Sequence, residues 1–187
     1  MGQIHNFNAG PSILPRSVFE EASKAVLNFN DTGLSILEIG HRTPIFQAVM
    51  DETIALVKEL MLLEDEHEVL FLHGGASTQF MQVPMNLLDD KETAAFTDTG
   101  VWSTKAIKEA KLFGKVEIVC SSKESNFTYI PKDFAVPNDA KYLHITTNNT
   151  IYGTQWQKIP KTSNSLVADM SSDIFSRVLE FNSFDLI

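Results

Sequence analysis

Cysteine is almost missing. Cys120 stands alone among 187 residues, so no disulfide can close within the chain. That removes the stapled secreted frameworks and fits a reducing compartment. Cys120 ends the apolar run VEIVC, where a small buried hydrophobe is the expected role rather than a nucleophile. Basic charge is also scarce. Fifteen Lys and Arg face 24 Asp and Glu, a net charge of −9. A nucleic-acid reader normally carries a basic face, so no nucleic-acid partner is expected. Long hydrophobic runs are absent too: no window approaches the roughly 20 apolar residues of a membrane span. The opening residues, MGQIHNFNAGPS, lack the basic and then apolar layout of a secretion signal, and the cytoplasm is the expected location. No repeat, low-complexity tract or linker divides the chain.

What remains is ordinary for a folded domain, with 43% hydrophobic and 21% charged residues. Helical patterns alternate with short apolar runs. Residues 15 to 29 begin with a proline and place Val18, Ala22 and Val26 on one face, until NDTG stops them. Residues 45 to 63 repeat the pattern with Phe46, Val49, Val57 and Leu60. VLFL (69–72), TAAFT (93–97), VEIVC (116–120), KYLHIT (141–146) and SLVAD (165–169) read as strands, and FDLI (184–187) as the start of a sixth. Helices are expected over MQVPMNLL, where Pro84 would kink or break the run, and over STKAIKEAKLFG. The fold class is therefore α/β, a mainly parallel sheet flanked by helices, with residues 1–187 as the N-terminal portion of one large domain whose sheet is expected to be incomplete at its C-terminal side.

In such sheets ligands bind beyond the carboxyl ends of the strands. That rule gathers Gly74 to Thr78, then Asp98 to Trp102, then Asn148 to Thr150, and Asp169. GGAST leads into a helix and suits a phosphate, or it is a plain tight turn. It is neither a Walker loop nor G-x-G-x-x-G. Trp102 is a core residue or a stacking face. Thr150 donates a hydrogen bond or closes a turn. Asp169 caps a helix over SSDIF, or it holds a ring nitrogen protonated. Taken together they fit a flat ring with a phosphate arm and a basic nitrogen, the form of pyridoxal 5′-phosphate. Electrostatics alone also permits a nucleotide. No metal site is expected.

Six stretches carry a more specific likeness: NFNAGPSILP (6–15), EIGHRTPIF (38–46), LFLHGGASTQF (70–80), DTGVWSTKAIKEAK (98–111), NNTIYGTQW (148–156) and VADMSSDIFSR (167–177). In this order they resemble the phosphoserine aminotransferase family, pyridoxal-phosphate enzymes of the aspartate-aminotransferase-like fold class. The resemblance implies that Ala76 and Ser77 hold the cofactor phosphate and that Trp102 stacks on its ring. It implies that Thr150 bonds near the ring hydroxyl and that Asp169 pairs with the ring nitrogen. His41 and Arg42 would meet anionic groups of the substrate, Arg42 through a bidentate fork. At Ser77 some relatives carry an arginine, a charge this chain would replace with backbone N–H groups and a hydroxyl.

The implied reaction exchanges an amino group between glutamate and 3-phosphohydroxypyruvate in serine biosynthesis, with a related step in pyridoxine synthesis in many bacteria. The implied assembly is a homodimer. The family's Schiff-base lysine falls beyond Ile187, so no catalytic residue is expected in these 187 residues. A second half of the enzyme is expected as a partner. The other reading is a non-catalytic fragment that binds pyridoxal phosphate or a partner chain.

Overall fold

Four of the apolar runs become one parallel sheet. The computed structural model describes residues 4–187, so the part of the leader reading that rests on residues 1–3 lies outside it. The strands are β1 (Thr93–Asp98), β2 (Lys115–Ser121), β3 (Tyr142–Thr146) and β6 (Ser165–Asp169), in the order β2-β1-β3-β6. β1 and β3 are central, and every residue of β3 is buried. A strand covered on both faces needs a continuous apolar run, which is why TAAFT and YLHIT read without alternation. β2 lies at the edge and is half open to solvent, with Ile118 exposed. A two-stranded hairpin, β4 (Asn148–Asn149) and β5 (Thr154–Gln155), follows β3 directly.

The order of strands fixes where a ligand can enter. From β1 the chain moves outward to β2, then returns past β1 to β3, and β1 and β3 pair side by side. The connections leave in opposite directions at that point, so a crevice opens beyond the ends of β1 and β3. Helices α3 (Gly75–Leu87) and α4 (Val101–Ala110) pack on this part of the chain. Phe80, Leu88, Ala106 and Ile107 from the helical side join Phe96, Tyr142 and Val167 of the sheet in one buried cluster.

The chain divides into two compact units, one ending at Leu60 and one running from Met61 to Ile187. The first contains α1 (Arg16–Leu27) and most of α2 (Pro44–Met61). Both helices fall where the periodicity places them. Asn28 ends α1, and its side chain accepts the Gly33 N–H at 2.8 Å, which turns the chain at NDTG. No helix of the described residues is long and apolar enough to cross a membrane.

Two expected strands differ. Residues 69–72 adopt no regular structure, and Leu70, Phe71 and Leu72 are 74%, 53% and 60% exposed. An apolar run becomes a strand only when another edge takes its N–H and C=O groups, and no described residue pairs with it as a strand. FDLI makes a single parallel bridge, Val167 to Leu186, with Ala168 N–H donating to Leu186 O at 2.9 Å. Pro84 does not end its helix. α3 begins earlier than expected, at Gly75, runs through Pro84 to Leu87, and buries the proline ring. The SSDIF stretch forms turns rather than a helix.

Candidate functional site

The start of α3 is built to leave backbone donors free. Gly74 has φ +96°, in the left-handed region. A Cβ there would come within 2.3 Å of Thr78 Oγ1, so only glycine fits. No side chain caps the helix, and the Thr78 hydroxyl instead donates to Gly74 O at 2.8 Å. The first N–H groups of α3 and the positive end of its dipole therefore face outward at Ala76 and Ser77. Ser77 is exposed, while Ala76 packs against the buried cluster. This arrangement suits a phosphate.

Trp102 lies in the first turn of α4, half-buried against the same cluster. The helix start is held by hydroxyls. Ser103 Oγ accepts from Thr99 N at 2.9 Å and Gly100 N at 3.0 Å. Thr104 Oγ1 donates to Asp98 Oδ1 at 2.7 Å, and Ser121 Oγ donates to Asp98 Oδ2 at 3.3 Å. Asp98, although it ends β1 as Asp169 ends β6, is thus a satisfied acceptor. Lys105 Nζ sits 4.2 Å from the centroid of the Trp102 ring. The indole already takes a cation on its face, the interaction that a protonated pyridine ring would make in a stack.

Asn149 ties α4 to the hairpin. It is 1% exposed; its Oδ1 accepts from Thr99 Oγ1 at 3.3 Å, and its Nδ2 donates to Thr154 Oγ1 at 3.1 Å. Gly100 has extended backbone, yet a Cβ there would reach 2.6 Å from Asn149 Oδ1. Gly100→Ala is expected to push this pinned amide and cost about 2 kcal/mol, the usual price of overpacking. Urea denaturation checks it, and unchanged stability would show that Asn149 yields freely.

Thr150 is exposed beyond β4, and its hydroxyl donates to Ser172 Oγ at 2.7 Å. Ser172 also accepts from Asn148 Nδ2 at 2.9 Å. Asp169 is half-buried at the end of β6. Its Oδ1 accepts from Ser171 N at 3.0 Å and Ser171 Oγ at 2.5 Å. Oδ2 takes no hydrogen bond from the described residues, and no described cation forms an ion pair with it. A half-open cavity of about 490 Å³ has Ala76, Phe80, Tyr142, His144 and Asp169 in its wall. The phosphate-suited helix start and the half-free carboxylate therefore share one space.

His144 was not singled out by sequence reasoning. It is 5% exposed, its ring stacks on Phe96 with centroids 4.9 Å apart, and Nδ1 has no partner. Burial pushes its pKa down to about 4, against the opposing pull of the Asp169 charge. The imidazole is neutral at pH 7. The available signal was polar spacing within β3, where His144 and Thr146 recur at the strand period. Cys120 is half-buried, and burial, aided by the Asp98 charge, pushes its thiol up to about 12. It is no nucleophile.

His41 and Arg42 belong to the first unit. Both are exposed in the turn before α2, where Thr43 N–H donates to Gly40 O at 2.9 Å. Ala76, Ser77, Trp102, Thr150 and Asp169 all belong to the second unit, around the strand ends. Among the described residues no group of three or more His, Cys, Asp or Glu is placed to hold a metal ion.

Comparison with known proteins gives a consistent picture. A family model for aminotransferase class-V matches residues 4–186. The phosphoserine aminotransferase of Flavobacterium johnsoniae is 60% identical over 184 residues, covering 98% of this chain and 52% of the relative. That of Bacteroides fragilis is 57% identical over 180 residues, covering 96% and 50%. A solved phosphoserine aminotransferase, studied for radiation damage of its Schiff base, superposes with a TM-score of 0.95 at 46% identity, over 98% of this chain and 52% of that one. The enzyme from Bacillus circulans subsp. alkalophilus gives 0.93 at 43% identity, over 97% and 51%. The chain spans about half the length of the curated relatives it matches.

Proposed function

Because the chain belongs to the aminotransferase class-V family, we propose that it is the cofactor-binding part of a phosphoserine aminotransferase. The substrates are then glutamate and 3-phosphohydroxypyruvate, and the setting is serine biosynthesis in the cytoplasm, with a related pyridoxine step. The observation that carries this reading is Asp169, a half-buried carboxylate with one oxygen left unbonded at the wall of a cavity. A carboxylate oxygen left open at a cavity wall is placed to take a cationic hydrogen-bond donor.

The residues fit pyridoxal 5′-phosphate. The N–H groups at Ala76 and Ser77 hold its phosphate, and the Ser77 hydroxyl adds a donor. Trp102 stacks on the ring and Thr150 bonds beside the ring hydroxyl. Asp169 holds the proton on the ring nitrogen by ion pairing. Bound there, the cofactor supplies an electron sink for the negative charge left when an amino acid loses its α-proton. Arg42, with His41, recruits the anionic groups of the substrate. The part of the relatives' length that lies outside these 187 residues would bring the lysine, and the partner is a homodimer mate.

The test is the intact mass of the material purified from its own host, read with its visible absorbance. A bound chromophore, together with a polypeptide beyond the 20.9 kDa of this chain, supports the reading. A single species of that mass with no chromophore sinks it and leaves a non-catalytic fragment. Trp102→Ala is expected to loosen the cofactor roughly tenfold, the worth of one aromatic stack. Equilibrium dialysis measures this, and an unchanged affinity counts against stacking.

A further inference from the structure

We propose that Asp173 is a positioning residue for the cofactor, one carboxylate that fixes Thr150 and Asp169 relative to each other. The inference rests on the roles given above to those two residues. Asp173 is 4% exposed and lies four positions after Asp169. Its Oδ1 accepts from Thr147 Oγ1 at 2.5 Å. Its Oδ2 accepts from Gln155 Nε2 at 3.4 Å and pairs with Arg177 Nη2 at 3.2 Å. Thr147 is the residue just before β4, and Gln155 ends β5. A single buried charge thus grips both ends of the hairpin segment that carries Thr150.

The grip extends to Asp169 through the backbone. Thr147 N donates to Asp169 O at 3.0 Å, and Thr147 O accepts from Trp156 N at 2.9 Å. Asp173 N donates to Met170 O at 3.0 Å, closing the turn that starts at the strand end. Arg177 is itself held, Nη1 donating to Trp156 O at 2.8 Å, so the counter-charge comes from a fixed direction. Ser172, the neighbour of Asp173, takes the Thr150 hydroxyl. Moving the Asp173 carboxylate therefore moves the ring-hydroxyl partner and the ring-nitrogen partner against each other. The start of α3 makes no contact with this network through any of these bonds, so phosphate binding is independent of it.

The experiment compares pyridoxal 5′-phosphate with its 1-deaza analogue, in which carbon replaces the ring nitrogen. It uses the protein as its gene encodes it, stripped of cofactor. The ratio of the two dissociation constants reads the Asp169 bond alone. In wild type the natural cofactor binds about tenfold or more tightly, the worth of a charged hydrogen bond. Asp173→Asn keeps the shape and turns a donor toward Arg177 and Gln155. It is expected to bring the ratio close to one, with the affinity for inorganic phosphate unchanged. Thr147→Val removes the hydroxyl that bonds Asp173 Oδ1 and lies 3.2 Å from Asp169 O, and it leaves Arg177 Nη2 in place on Asp173 Oδ2. It is expected to lower the ratio in the same direction, and it decides the matter if Asp173→Asn does not fold. A wild-type preference that survives in Thr147→Val, or in folded Asp173→Asn, overturns the positioning role. A wild type that binds both compounds equally overturns the Asp169 reading beneath it.

Discussion

Asp169→Ala is expected to lower transamination by about a thousandfold in the assembled enzyme, the scale for losing a preorganised charge at the reacting centre. The carboxylate is poised for that role by what it already bonds. Ser171 fills Oδ1 twice, with its N–H and its hydroxyl, and this fixes the rotamer. Oδ2 is then aimed and unshared. Alanine removes the acidic side chain that the described residues place in the cavity wall, so a ring nitrogen bound there would lose its proposed partner and the electron sink would weaken. Cofactor affinity should fall by roughly tenfold to a hundredfold, as for a hydrogen bond to a charged group. The two losses separate the effects, since saturating cofactor restores occupancy without restoring rate. Single-turnover measurement with glutamate checks the prediction, and near-normal turnover at saturating cofactor would refute the role of Asp169.

The second large effect is on stability with pH. The His144 ring is buried and neutral, with its pKa lowered to about 4, whereas an unfolded histidine titrates near its ordinary value of 6.5. Above that value neither state carries the proton, and His144 adds no pH dependence. As pH falls below 6.5 the unfolded chain takes up a proton that the folded chain refuses, so stability drops until about pH 4. The loss over that window is on the order of 3 kcal/mol, a large share of the stability of an ordinary domain. His144→Gln should flatten this part of the curve. Urea denaturation of both proteins at pH 7.5 and 4.5 reads the difference, and equal losses in the two would remove His144 as the cause. Glu92 and Glu124 do not confuse the comparison. Their hydrogen bonds, from Lys141 and Tyr129 respectively, hold their pKa values down, and both proteins keep them.

The regular elements were largely legible. β1, β3 and β6 were readable because strands covered on both faces must be apolar throughout. α1, α2 and α4 were readable because one-sided burial imposes the helical period. VLFL was not, since the same composition serves a paired strand and an exposed loop alike, and only a pairing edge distinguishes them. Pro84 was misleading in the same way. A proline breaks an isolated helix, but here burial of its ring offsets the lost hydrogen bond.

The three acids at strand ends and turns show where the sequence stops deciding. Asp98, Asp169 and Asp173 each follow or closely trail a core strand, among serines and threonines. Residue type and spacing by themselves determined that carboxylates gather at the carboxyl ends of a parallel sheet, beside a glycine turn suited to phosphate. Which carboxylate is available was decided only in three dimensions. Asp98 is filled by hydroxyls from α4 and β2, and Asp173 by Thr147, Gln155 and Arg177, while Asp169 keeps one oxygen open. The physical reason is that local pattern reports how each residue is covered by its own element. Hydrogen-bond saturation depends instead on partners up to 26 positions away, and their approach is set by the packing of strands and helices.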